Sequence, residues 1–274
     1  MQRSVEAFIK DEKKEKWIEN FARFGIVSKG VVYCLIGILT AMAAFGLQGK
    51  KAGKADAFNL IYEQPFGKIL LIIVACGLLG YVTWRFFQAF GDIDHKGNDN
   101  KAKVVRAGYA ISAFIYLGLA VYAGKLALMG PGGSDGNSQQ FIVSKILSYS
   151  FGEWIIGITG AIIIGNAFRQ IYKGASKKFM KNVQFLGANH SDAYEKAGIL
   201  GYIARGVVLI IVGYFFVRGA IHSNSSEIAD TKEAFGFIEN TFGSLLMGIV
   251  AIGLVCYGIF MFVKARYQKI DLNF

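Results

Sequence analysis

Ile69–Gly80 reads ILLIIVACGLLG and Leu245–Tyr257 reads LLMGIVAIGLVCY, and neither run holds a charged residue. A helix bordered by water turns a polar face outward every three or four residues. These two runs are apolar on every side, so each predicts a helix surrounded by hydrocarbon. Crossing a bilayer core ~30 Å thick at ~1.5 Å per residue takes ~20 mostly apolar residues. Six stretches reach that length: Phe24–Leu47, Phe66–Phe90, Val105–Met129, Phe151–Tyr172, Gly198–Ile221 and Phe242–Val263. The period-two alternation of a transmembrane barrel is missing from them. The expected fold class is an all-α membrane protein with six transmembrane helices.

Composition points the same way. The 274 residues are 54% hydrophobic and 18% charged, with 34 glycines and 2 prolines, whereas a soluble domain carries ~25% charge. Disorder, collagen and, with 3 cysteines, a disulfide scaffold are excluded. The first span is not expected to be a cleavable signal, because Met1–Glu19 is long and mixed in charge and the span after it is full length. Residues 1–20 are expected to form a cytoplasmic amphipathic segment, with Phe8, Ile9, Trp17, Ile18 and Phe21 as a stripe lying on the inner leaflet. A solvated extension is the alternative.

Charge gives the orientation. With six spans both termini share one side, and 22 of the 30 Lys and Arg residues fall on it against 8 on the other. Positive residues collect on the cytoplasmic face, so both termini are expected in the cytoplasm of a protein of the cytoplasmic (inner) membrane. The net charge of +11 then faces anionic headgroups of the lipid bilayer. No nucleic-acid partner is expected, since no basic-aromatic binding module occurs.

The spans repeat. Arg23–Tyr33 (RFGIVSKGVVY) aligns with Arg106–Tyr116 (RAGYAISAFIY) at an offset of 83. An offset of 176 carries Lys29-Gly30-Val31-Val32 to Arg205-Gly206-Val207-Val208, Gly25 to Gly201, Gly37 to Gly213 and Tyr81 to Tyr257. The even spans open alike, at Phe66-Gly67, Phe151-Gly152 and Phe242-Gly243. These are three tandem two-helix units, over 21–95, 96–180 and 181–274, the last with a short tail. Each unit crosses twice, so all three insert in parallel around a pseudo-threefold axis. The motifs resemble a bacterial integral-membrane family known as domain of unknown function 1206, with three two-helix copies. The resemblance runs from about Phe21 to Arg266 and implies the architecture without an activity. The middle copy departs, with Ser112-Ala113 where the others have Lys29-Gly30 and Arg205-Gly206.

Lys29 and Arg205 are the sharpest candidate site residues, each inside the cytoplasmic end of an equivalent span. A charge in hydrocarbon costs ~2.5–3.5 kcal/mol, so it seeks water, a partner or a headgroup. Three readings stand: snorkelling to the headgroups, an inward basic pocket for a phosphate or carboxylate, or a bond to a neighbouring polar group. Arg85 and Arg169, with Lys264, could complete a basic rim. Small residues mark expected packing seams: Gly30, Cys34 and Gly37 in span one, Gly157, Ala161 and Gly165 in span four, Gly206 and Gly213 in span five. Tyr33, Tyr109, Tyr116, Tyr202, Tyr214 and Tyr257, with Trp17, Trp84 and Trp154, are expected in the aromatic belts.

No acid lies in the membrane core, which argues against a proton- or sodium-coupled carrier. Neither a nucleophile–base set nor a metal or haem spacing occurs, so no cofactor and no enzyme activity are expected. The expectation is a non-enzymatic scaffold or envelope component, with a second copy of the chain or another membrane protein left open as partner. The alternative is a channel or facilitator for a small solute or anion through the centre of the three-hairpin ring.

Overall fold

The computed structural model describes residues 2–47, 49–91, 99–131, 138–149, 151–182 and 191–268. Six long helices carry the spans: α1 (Gln2–Ala44), α3 (Gly67–Phe90), α4 (Asn100–Met129), α6 (Gly152–Ala175), α7 (Ser191–Ile221) and α9 (Ser244–Tyr267). Between the long helices of each repeat lies a short one: α2 (Lys54–Tyr62), α5 (Ser138–Leu147) and α8 (Thr231–Phe242). The protein is an all-α, multi-pass membrane protein of three two-helix repeats. The continuous α1 reaches back to Gln2, but the side chains of the Phe8, Ile9, Trp17 and Ile18 stripe lie outside the described residues.

The helices close into a ring. The second long helix of each repeat packs on the first of the next: α3 on α4, α6 on α7, and α9 back on α1. Two equivalent arginines lock these junctions by capping helix C-termini, whose last carbonyls lack partners within the helix. Arg106 donates to the carbonyls of Ala89 (2.7 Å) and Phe90 (3.0 Å) at the end of α3. Arg23 donates to those of Ala265, Arg266 and Gln268 at the end of α9. Inside the ring Ile36, Leu71, Leu78, Leu126, Leu254 and Phe260 are fully buried. Outside it Ile69, Ile72, Ile73, Leu79, Ile249 and Ile252 stand exposed, an aliphatic belt suited to an apolar surrounding.

Within the repeats the symmetry breaks. The hairpins α1/α3 and α7/α9 pack tightly, whereas α4 and α6 barely meet. A Cβ on Gly25 would lie 2.5 Å from the backbone nitrogen of Tyr81, and one on Gly201 the same distance from that of Tyr257. The equivalent Gly108 has nothing within 4 Å among the described residues. The next contact explains why: Gly77 sits on Ser28 and Gly253 on Ala204, but the middle repeat has Ile162 and Ile111 at those places. Two branched side chains stand where the other repeats have small residues, and the hairpin is splayed.

The small-residue seams follow the ring. Gly30, Cys34 and Gly37 face α9: a Cβ on Gly30 would lie 2.8 Å from the Phe262 ring and one on Gly37 2.7 Å from the Ala251 carbonyl. Gly206 and Gly213 face Ile171 and Ile164 of α6. Span four corrects the expectation. Ala161 is exposed, Gly165 has nothing within 4 Å, and Gly157 meets only the Ala220 methyl at an ordinary 3.5 Å. The seam of α6 on α7 runs through Gly160 instead, against Gly213, Phe216 and Val217.

The short helices seal the end away from the termini, with Phe58 and Phe235 fully buried. Gly67 and Gly152 make the elbows into the even spans, where a Cβ would collide with the Ile61 or Ile146 carbonyl.

Candidate functional site

At the end carrying the termini the ring axis holds a cavity of about 130 Å³. Six cations line it: Lys29 from α1, Arg85 from α3, Arg169 and Lys173 from α6, Arg205 from α7 and Lys264 from α9. No carboxylate lines it among the described residues. The five cations singled out in the sequence, far apart along the chain, thus converge on one space because each lies on the inward face of its helix near the same end.

The hydrogen-bond partners of Lys29, Arg85, Arg169 and Arg205 are neutral. Lys29, 2% exposed, donates to the Tyr81 hydroxyl at 3.0 Å. Its Nζ lies between 4.7 and 5.9 Å from the ring centroids of Tyr81, Tyr116, Tyr257 and Tyr33, a four-sided cation–π cage. Arg205 repeats the theme, donating to Tyr257 at 2.8 Å, to Tyr33 at 3.0 Å and to the Gln170 side-chain oxygen at 2.7 Å. Arg85 donates to Tyr81 and to Gln88, both at 2.7 Å, and Arg169 to Tyr109 at 3.3 Å. The separations Lys29–Tyr81 and Arg205–Tyr257 are both 52 residues, one cation–tyrosine pair used twice. In the middle repeat Ser112 and Asn166 line the cavity from the corresponding positions, so the third pair carries no charge.

For these four cations hydroxyls and amide oxygens accept from the donors and leave the charge uncancelled. Taking an ion out of water costs several kcal/mol, which a neutral acceptor offsets only in part. Among the described residues a buried donor stays open at the cavity: Gln170 is 5% exposed, and its Nε2 has no hydrogen-bond partner there. Its oxygen faces Arg205, so the amide NH₂ is offered to the cavity it lines. The arrangement can hold an anion with several oxygen atoms.

Two expectations change. Lys29 and Arg205 turn inward to tyrosines and do not snorkel to the headgroups. The tyrosines expected in belts are the walls of the site: Tyr33, Tyr109, Tyr116, Tyr202 and Tyr257 are buried, as is Trp84, while Tyr214 and Trp154 stand exposed. Trp17 lies outside the described side chains. Sequence reasoning missed Tyr81 and Gln170; the repeated 52-residue separation was the available signal for the first. Among the described residues the space is also blind. Tyr116 donates to Tyr33 at 3.3 Å just beyond Lys29, and past that pair the axis is filled by apolar side chains, Ile36 and Leu126 among them.

Comparison with known proteins returns the repeat three times. The family model described as Domain of Unknown Function (DUF1206) matches residues 24–92, 107–177 and 200–268. The chain is similar to the uncharacterized protein YxxB of Bacillus subtilis (strain 168), at 32% identity over 263 residues covering 95% of this chain and 94% of that one. No solved structure matches.

Proposed function

The chain belongs to the family of Domain of Unknown Function (DUF1206) membrane proteins, and on that premise we propose that it is a non-enzymatic component of the cytoplasmic membrane that binds an anion in the axial cavity. Both termini lie in the cytoplasm in this reading, supported by the 22 to 8 distribution of Lys and Arg. The cavity then opens towards the cytoplasm and the inner leaflet. The observation that carries the reading is the convergence of Lys29, Arg85, Arg169 and Arg205 on one space, held by tyrosine and glutamine. Four buried or half-buried cations with neutral partners call for a bound counter-charge. The blind axis favours binding over conduction.

The test is a thermal melt of the full chain, delipidated in detergent and titrated with inorganic phosphate against chloride at matched ionic strength. A ligand at 100 times its Kd stabilises the folded state by about 2.7 kcal/mol. A saturable, phosphate-specific rise is expected, lost in Lys29→Gln and Arg205→Gln. A wild-type midpoint that phosphate raises no further than chloride overturns the reading.

A further inference from the structure

The splayed hairpin and the cationic cavity are two views of one space. Gly108, Tyr109 and Ser112 of α4 and Asn166, Arg169 and Gln170 of α6 line the cavity, yet α4 and α6 barely touch. On that side the wall is a slot. The seam positions along it are apolar or small: Gly108 and Ile111 on one helix, Ile162 and Gly165 on the other. Gly108, Gly118 and Gly165 have nothing within 4 Å of an added Cβ among the described residues. In the other repeats the equivalent faces are buried against one another. At membrane depth an unfilled slot between helices does not persist, because lipid chains or side chains occupy it.

The two halves have complementary chemistry. The slot is open to hydrocarbon along its length. At its terminal end stand Arg169, Arg205 and the unpartnered Gln170 Nε2. Arg169 lies one to two turns, about 9 Å, from Ala175 at the end of α6, within reach of the headgroup layer. We propose that the slot holds one anionic membrane phospholipid, with its phosphate among Arg169, Arg205 and Gln170 and its acyl chains between α4 and α6. This rests on the anion-binding reading and names the source of the anion. A free phosphate would need only the axial mouth and would leave the apolar slot unexplained. A zwitterionic headgroup would bring its own ammonium group against the six cations of the cavity. Anionic lipid satisfies both the charge and the apolar gap.

The full chain is reconstituted into phosphatidylcholine vesicles containing a minor fraction of phosphatidylglycerol and re-extracted in mild detergent. The lipid retained per protein is then measured by mass spectrometry. Phosphatidylglycerol is expected to be enriched about tenfold over its share of the bilayer, equivalent to ~1.4 kcal/mol of preference. Arg169→Gln, at the half-buried rim, is expected to reduce the enrichment severalfold. Gly165→Trp fills the slot at a position with nothing against it, outside the residues lining the cavity. It is expected to abolish lipid enrichment while the inorganic-phosphate melt of the delipidated protein keeps its wild-type shift. Enrichment unchanged in Gly165→Trp overturns lateral binding. Phosphatidylglycerol retained only at its bilayer share, with the phosphate shift intact, overturns the lipid and leaves the anion-binding reading standing. If phosphate also fails to shift the melt, both fall.

Discussion

The first and third repeats close their hairpins and the middle one does not, although all three carry a glycine at the same place. Gly25 and Gly201 lie against a tyrosine backbone, while Gly108 meets nothing. A small residue brings two helices together only when the facing residue is small as well. Ser28 on Gly77 and Ala204 on Gly253 meet that condition; Ile111 and Ile162 do not. The repeat has therefore diverged at two facing positions, and this opened a slot beside the one place in the ring where the cation–tyrosine pair was also replaced, by Ser112 and Asn166. Loss of packing and loss of charge coincide in one repeat, as expected if that repeat admits a ligand and the other two build its walls.

The largest effect tests the packing half of this comparison. Gly201→Leu forces a side chain into the Tyr257 backbone, where a Cβ alone would come within 2.5 Å. Overpacking against backbone costs about 3 kcal/mol or more, since backbone cannot swing aside as a side chain can. Gly108→Leu enters open space and gains helix propensity of up to about 1 kcal/mol, so it should be neutral or mildly stabilising. Unfolding curves in detergent give both values. Equal losses would mean that the splay is not a property of the folded protein.

A smaller effect tests the charge half. Ser112→Lys restores the cation that the middle repeat lacks, in a cavity without a carboxylate among the described residues. The variant should lose about 2 kcal/mol in low salt, because another ion is desolvated with no counter-ion. Inorganic phosphate should return most of that loss. Lys29→Met should move the other way and stabilise the phosphate-free protein by about 1 kcal/mol, since an apolar isostere often outperforms a buried ion. A Lys29→Met variant less stable than wild type in phosphate-free buffer would show that the tyrosine cage alone compensates the charge.

The spans, the repeat and the ring could be read from the sequence because membrane burial leaves uninterrupted apolar runs and a repeat is a spacing along the chain. Lys29 and Arg205 were legible for a related reason: a charge inside such a run stands out. Tyr81 and Tyr257 were not, although they repeat at the same offset. A tyrosine near a span end looks identical whether its helix turns it towards lipid or axis, and that rotation is set by glycine contacts with neighbouring helices. The splay was hidden similarly, because Ile111 and Ile162 are ordinary membrane residues until they are placed at the positions where Ser28 meets Gly77 and Ala204 meets Gly253. Span four's stripe misled in reverse, its spacing sound and its partner helix absent. The short helices α2, α5 and α8 fall below the length at which apolar periodicity is decisive.

The smallest effect lies at the end away from the termini, where the first and third repeats are joined again. Lys51 pairs with Glu239 at 2.5 Å and Lys232 with Asp56 at 3.4 Å. Such partly exposed pairs are worth at most about 1 kcal/mol each. The helix cap beside them carries the pH dependence. Asp230 accepts from the Lys232 backbone N–H, and the Asp230 N–H donates to Glu233 at 2.8 Å. Burial first, and then the Glu233 carboxylate, push Asp230 up to about 7 from an ordinary 3.8, against the opposing pull of the Lys232 N–H and Lys54. Burial acts upward on Glu233 too, but hydrogen bonds with Asp230 hold it below its ordinary 4.5. A carboxyl raised in the folded state keeps a proton that the unfolded chain has released, so stability falls as pH rises from about 4 through about 7. The Glu233 shift acts in the opposite sense only below its own ordinary value, so the interval from about pH 5 to about pH 8 reports Asp230. A loss of about 1 kcal/mol across it is expected in wild type, less than the full shift would give because Asp230 is only partly buried and solvent screens it. Asp230→Asn should flatten the slope, and the separation of spin labels on α4 and α6 should not change across the same interval. A slope that survives the substitution, or a slot that closes with it, would place the titrating group in the middle repeat and not at the junction of its neighbours.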